Sequence, residues 1–119
     1  MPLMKPSVFE ISPGSECVNP FPDGVPRRTS GAVVYVLDMM ETPFVKIGST
    51  SSVRSRLVSL QTGSPFEICF AFYASPRLGL SHVEAEQNVH RALDEHRVRG
   101  EWFQVPVSDA ISAIREALK

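Results

Sequence analysis

The segment "SPFEICFAFYAS", residues 64–75, constrains the fold more than any other: a run of aromatic and β-branched side chains with Pro65 before it and Pro76 after it. Such side chains fit a pleated surface, and a proline at each end stops a hydrogen-bonded ladder, so the segment reads as a strand. Two further strands are expected upstream. At Gly31 the composition changes abruptly to "AVVYVL", a strand over about 32–37, and "PFVKIG" follows after a short loop. An antiparallel hairpin with Leu37 opposite Phe44 would set Tyr35 opposite Lys46, with both on one face.

The remainder of the chain has helical spacing. "STSSVRSRLVSLQTG" offers Ser and Thr as N-caps, Val53, Leu57 and Leu60 as an apolar stripe, and Gly63 as a stop. At 100° per residue Arg56 lies about 70° from the middle of that stripe, at the rim of what the helix packs on, and Arg54 flanks the other side. A longer helix over 80–96 would bury Ala85, Val89, Ala92, Leu93 and His96. "RVRGEWFQVP" then reads as a turn and a short extended piece. "VSDAISAIREALK" reads as a closing helix capped by Ser108 or Asp109, with Val107, Ile111, Ile114 and Leu118 facing the core. The order is ββαβα plus a closing helix, a small α/β (α+β) body with a mainly antiparallel sheet.

A chain of 119 residues is sized for one core. Six of its ten prolines fall within residues 1–30, an irregular arm draped on or extending from a body at 31–119; Arg27 and Arg28, where the arm joins the body, are candidates for a backbone phosphate contact. The 12 basic and 13 acidic residues leave a formal charge of −1, so any nucleic-acid site must be local. Nine of the 12 basic residues are arginine, the side chain suited to bidentate phosphate contacts. Cys17 and Cys69 are too distant in sequence to suggest a disulfide framework. No apolar stretch approaches the roughly 20 residues of a membrane span, and a cytoplasmic protein without membrane contact is expected.

On the longer helix, Glu86 lies about 75° from the middle of the apolar stripe and Glu84 about 125° away on the opposite flank, so Glu86 is the one placed at a cleft edge. His90 stacks on the same side four residues later, with Arg97 two further turns along. An i,i+4 pair on a surface helix accounts for this spacing. So does metal and proton chemistry, in which one carboxylate, waters and a substrate phosphate hold Mg²⁺ and a nearby arginine, Arg56, offsets charge on the phosphate. Cys17, Cys69, His82 and His90 lack zinc-ligand spacing, and there is neither a GxxxxGK[ST] nor a GxGxxG loop to cradle a small-molecule cofactor. Trp102, the lone tryptophan, is expected to anchor the core rather than stack on a base.

In this order the pieces resemble the GIY-YIG nuclease superfamily. "VVY" ending at Tyr35 corresponds to the first motif and "KIG" at Lys46 to Gly48 to the second. Arg56 matches the family's helix arginine and Glu86 its metal-holding carboxylate. The chain is most similar to the phage-type and meiotically up-regulated-gene-type branch, described as DNA-binding, through "VKIGST", "AEQNVH" and "RVRGEWF". The resemblance implies a three-stranded antiparallel sheet flanked by helices and a metal-assisted cut of a phosphodiester in DNA, with Mg²⁺ or Mn²⁺ as cofactor. Tyr35 would position or deprotonate the attacking water, Arg56 bind the scissile phosphate, Glu86 hold the metal and His90 relay a proton. Lys46 stands where the nuclease branch has its second tyrosine; with Arg54, Arg56 and Arg97 it makes a basic edge suited to nucleic acid. Three functions follow: a Mg²⁺-dependent DNA endonuclease, a non-catalytic DNA-binding module on the same fold, and a protein-interaction domain built on the long helix and "GEWF".

Overall fold

The computed structural model describes residues 8–10, 31–76 and 79–118. Strands β1 (Val8–Glu10), β2 (Val33–Met39), β3 (Val45–Thr50), β4 (Ile68–Ala74), β5 (Arg97–Arg99) and β6 (Trp102–Phe103) alternate with helices α1 (Val53–Thr62), α2 (His82–Ala92) and α3 (Val107–Ala117). The strands form one antiparallel sheet in the order β1-β4-β2-β3-β6-β5. The three expected strands are its centre. The sheet is wider than three because "RVRGEWF" folds into a two-stranded hairpin along β3, and because Val8–Glu10, from the proline-rich start, pairs with β4 at the opposite edge. Glu10 Oε1 ties that edge to α3 through Arg115 Nη2 at 3.0 Å. Arg27 and Arg28 lie outside the described residues. Among the described residues no helix is long and apolar enough to cross a membrane.

The two faces of the sheet hold two separate cores. On one, Val34, Val36, Val45, Ile47, Phe72 and Phe103 pack under α2 and α3 through Ala85, Val89, Ala110, Ile111 and Ile114. On the other, Val33, Tyr35, Leu37, Phe70 and Tyr73 pack under α1 through Val53 and Leu57. Ala71 is an extra residue on β4, since Val36 pairs with Phe72 and Leu37 with Phe70. That bulge sends Phe70 and Tyr73 to the α1 side and Phe72 to the other. The rings of Tyr35 and Phe70 meet edge to face at 5.9 Å, a geometry that adds about 0.5–1.5 kcal/mol beyond the area buried.

Several expectations shift. The β2–β3 hairpin pairs Leu37 with Lys46 and Tyr35 with Gly48, two residues from the anticipated register. The cause is the turn, which needs residues 40–44: Thr42 Oγ1 and N–H both close on Met39 O, Met39 N–H reaches Phe44 O, and Glu41 takes φ 63°. A slip of two preserves the face, so Tyr35 and Lys46 still share one. The longer helix stops at Ala92, and a 3₁₀ turn, Asp94–His96, leads into β5. Ala92 and His96 are therefore exposed rather than core, whereas Ala85 and Val89 are buried. Ser81 Oγ caps α2 by accepting from Glu84 N–H; α3 starts after Pro106 without a side-chain cap, not at Ser108 or Asp109. Cys69, 2% exposed, is disulfide-bonded, where the spacing of the cysteines suggested no disulfide framework, and Cys17 lies outside the described residues.

Candidate functional site

Because β6 is only two residues long and pairs with Val45 and Lys46, the rest of β3 meets no strand on that side among the described residues. The outward backbone groups of Ile47 are met instead by two pieces of the site. Its N–H donates to Glu101 O at 2.9 Å, and its carbonyl lies 2.8 Å from His90 Nε2. A carbonyl only accepts, so this contact places a proton on Nε2. Glu101 occupies the β5–β6 turn and His90 the inner face of α2, so the notch at Ile47 and Gly48 gathers side chains from both sides of the sheet.

From the α2 side comes Glu86. Ser49 Oγ donates to its Oε2 at 2.7 Å, and its Oε1 lies 3.7 Å from His90 Nε2. From the α1 side comes Tyr35, whose hydroxyl accepts from Arg56 Nε at 3.4 Å. Gly48 makes that approach possible: a Cβ there would stand 2.6 Å from Tyr35 Oη and 3.0 Å from Glu101 Oε2. Lys46, 7% exposed, donates to Glu101 Oε1 at 3.0 Å, and Arg56 Nη2 lies 3.8 Å from the same oxygen. Glu86, His90 and Glu101 each offer a ligand atom within 4.8 Å of the others.

Two carboxyls this close do not both ionise cheaply. Burial, then the hydrogen bond to Glu101, raises Glu86 to about 7, against the lowering effect of Ser49 and Lys46. Burial also pushes Glu101 upward, but the proton shared by Glu86 and the Lys46 ammonium outweigh it and hold Glu101 below the usual carboxylate range. Below about pH 7 the metal-free pair thus carries one proton, on Glu86, and one negative charge. Burial raises the Tyr35 phenol, with the Arg56 hydrogen bond opposing. Arg56 is in turn held more firmly charged, chiefly by its bond to Tyr35.

The structure therefore brings together Tyr35, Lys46, Arg56, Glu86 and His90. Arg54 is half-buried on α1, two residues from Arg56 and on another flank of the helix. Arg97 is not an extension of the Glu86–His90 edge: it opens β5, pairs with Asp94 at 3.5 Å and lies over the Phe103 ring on the α2–α3 side. Glu101 is the member that sequence reasoning missed. Its signal was its place in "RVRGEWF", two residues beyond Arg99, but nothing local predicts that this turn docks on Ile47. Trp102 is half-buried beside Lys46, whose ammonium is 5.4 Å from its ring centroid, rather than a core anchor. A groove of about 480 Å³ between residues 38–45 and the start of α3 holds none of these side chains.

The chain belongs to the T5orf172 domain family, whose model matches residues 32–118. No curated protein and no solved structure matches it.

Proposed function

We propose that the chain is a divalent-metal-dependent DNA endonuclease of GIY-YIG type, hydrolysing phosphodiester bonds at the notch beside Gly48. The observation that carries this reading is the convergence, at one strand edge, of an arginine–tyrosine pair from the α1 side with Glu86 from the α2 side and Glu101 from the β5–β6 turn, whose ligand atoms lie within 4.8 Å of each other. The T5orf172 domain, found in phage and nuclease-like proteins, is compatible with a nuclease or DNA-binding role.

The residues suit a hard cation. Glu86 and Glu101 are oxygen donors of the type Mg²⁺ and Mn²⁺ prefer, and their shared proton marks a place where positive charge is favourable. His90 Nε2 donates its proton to the Ile47 carbonyl, so that nitrogen is not offered as a ligand, and it stands 3.7 Å from Glu86 Oε1. Ser49 fixes the rotation of Glu86. A bound Mg²⁺ or Mn²⁺ would supply Lewis acidity at the phosphate and lower the pKa of a water.

The chain's own groups supply the rest. Arg56, with its side chain 43% exposed, turns a guanidinium outward to bind the non-bridging phosphate oxygens, where charge grows during displacement. Tyr35 keeps its proton near neutral pH, because burial raises the phenol, so it positions water or phosphate through its O–H rather than acting as the base. Lys46 holds Glu101 ionised and in place; at 7% exposure and 3.0 Å from that carboxylate it is a positioning group, not a surface phosphate anchor. A proton relay through His90 would require its ring to turn from the Ile47 carbonyl, since Nε2 stands 3.7 Å from Glu86 Oε1.

One observation favours a binding module without turnover: the Lys46 ammonium already neutralises half of the carboxylate pair, which weakens the site's call on a cation. Nicking of supercoiled and single-stranded DNA decides between them, with Mg²⁺, with Mn²⁺ and with chelator, beside Glu86→Ala. Metal-dependent cutting lost by at least about 10³-fold in the variant is expected. Undiminished cutting by Glu86→Ala sinks the assignment of roles. Salt-sensitive binding with no cutting in any metal establishes the binding module instead.

A further inference from the structure

The sheet row that holds Lys46 runs outward to two residues the proposed hydrolysis does not use. Leu37 of β2 faces Lys46 of β3, Lys46 faces Trp102 of β6, and Trp102 faces Arg99 of β5. Partners directly opposite across antiparallel strands lie on the same side of the sheet. Over β2 and β4 that side is covered by α1, but the apolar cluster beneath the helix includes no residue of β5 or β6 among those described. Among the described residues, none of that cluster covers the face beyond Lys46. Trp102 is half-buried there, Arg99 is exposed, and among the described residues Arg99 forms no ion pair.

The order of chemistries along this face is guanidinium, aromatic ring, guanidinium: Arg56 at the α1 rim, Trp102 beside the Lys46 ammonium, and Arg99 at the outer edge. From β3 to β5 the row spans about 10 Å, two inter-strand steps. A nucleic-acid strand presents the complementary order of phosphate, base and phosphate. Both π-faces of a base within a duplex are covered by its neighbours, so a ring lying on a sheet can stack only on a base that is unpaired or turned out.

We propose that Trp102 is the stacking platform for an unpaired base next to the phosphate held by Arg56, and that Arg99 grips a further phosphate of the same strand. The substrate class is thereby single-stranded or locally opened DNA. This rests on the phosphodiester reading of the notch. Trp102 and Arg99 act on substrate placement, and the bond-breaking groups remain those of the notch.

Trp102 is the only tryptophan of the chain, so emission excited at the red edge, where the two tyrosines do not absorb, reports this position alone. The full chain, in chelator to prevent cutting, is titrated with oligothymidylate and with a blunt duplex of equal length. The expected result is quenching by the single strand and weaker binding of the duplex. By anisotropy of the labelled single strand, Trp102→Leu weakens binding by about 5- to 150-fold, whereas Trp102→Phe retains most of it. Arg99→Gln, an exposed change that does not test folding, lowers the slope of log affinity against log salt by about 0.7.

Single-strand binding with unquenched Trp102 fluorescence, or tighter binding of duplex than of single strand, overturns the inference. If metal-dependent nicking persists in either case, the hydrolase reading stands without it. Loss of both binding and nicking in the unaltered chain removes the hydrolase reading and this inference together. Should Trp102→Leu fail to fold by circular dichroism, the quenching of the unaltered chain and the Arg99→Gln salt slope still decide.

Discussion

The inner half of the sheet, β4 and β2, and the outer half, β3 with the β5–β6 hairpin, are built on opposite terms. Tyr73, Phe70, Val34, Val36 and Leu37 of the inner strands are at most 1% exposed and sit between helices on both faces. Past β3 no helix among the described residues packs on one face, and Lys46, Glu101, Glu86 and His90 collect where the ladder thins. Burying ions is expensive, so they settle where each finds a partner and some solvent remains. The inner half supplies stability and a fixed frame; the outer half spends some of that stability on a charged cluster held to within hydrogen-bond distance. Tyr35 belongs to both, with its ring in the α1 core and its hydroxyl in the notch.

The comparison is tested most severely by substituting each half in turn. Phe70→Ala empties the centre of the α1 core and is expected to cost about 3–5 kcal/mol, read as a lowered urea midpoint, with cutting by the remaining folded protein unaltered. A loss below about 1 kcal/mol would mean that the inner half is not the frame. Gly48→Ala is the smaller disturbance, placed where the halves meet. Its Cβ would stand 2.6 Å from Tyr35 Oη, so the phenol must move. A misplacement of this size is expected to lower the cleavage rate by about 100-fold while stability falls by only about 1–3 kcal/mol. Equal sensitivity of rate and stability would show that frame and site are one unit.

This division also governs how much could be read from the chain. Pro65, the "ICFAFYA" run and Pro76 are local signals, and β4 lies where they place it. Val53, Leu57 and Gly63 likewise mark α1, and the 100° rule put Arg56 at its rim, where it meets Tyr35. Glu86 and His90 were legible because i,i+4 spacing on a helix is geometry carried by the sequence itself. The register of β2 on β3 was not, because it depends on a turn closed by Thr42 and a positive φ at Glu41, a residue type that gives no warning of it. Glu101 was missed, and Trp102 assigned to the core, for a related reason. A three-residue strand and a two-residue strand have too little length for periodicity to show, and their position is set by Ile47, more than fifty residues earlier.

The finest test of the outer half is its proton. In chelated protein Glu86 holds a proton up to about 7, whereas in the unfolded chain it releases it near 4.5. Between these values the folded state binds more protons than the unfolded state, so stability is greatest below about 4.5 and declines as pH rises to about 7. Glu101, shifted the other way, adds its stabilisation above the normal carboxylate range and loses it only in stronger acid, outside this window. Asp38, raised by burial, slopes in the same direction as Glu86 but is common to any pair of proteins compared. The limiting slope for one proton is about 1.4 kcal/mol per pH unit, and solvent at the rim of the notch keeps the real slope well below that. Glu86→Gln keeps a donor for Glu101 and an acceptor for Ser49 but has no proton to lose. Melting temperatures measured from pH 4.5 to 7.5 are therefore expected to fall in the unaltered protein and to fall less in the variant. Mn²⁺, by replacing the shared proton, is expected to flatten the unaltered protein's curve as well. Parallel curves for the two proteins in chelator would mean that Glu86 is ionised beside Glu101 throughout, and that the outer half holds two negative charges where the geometry implies one.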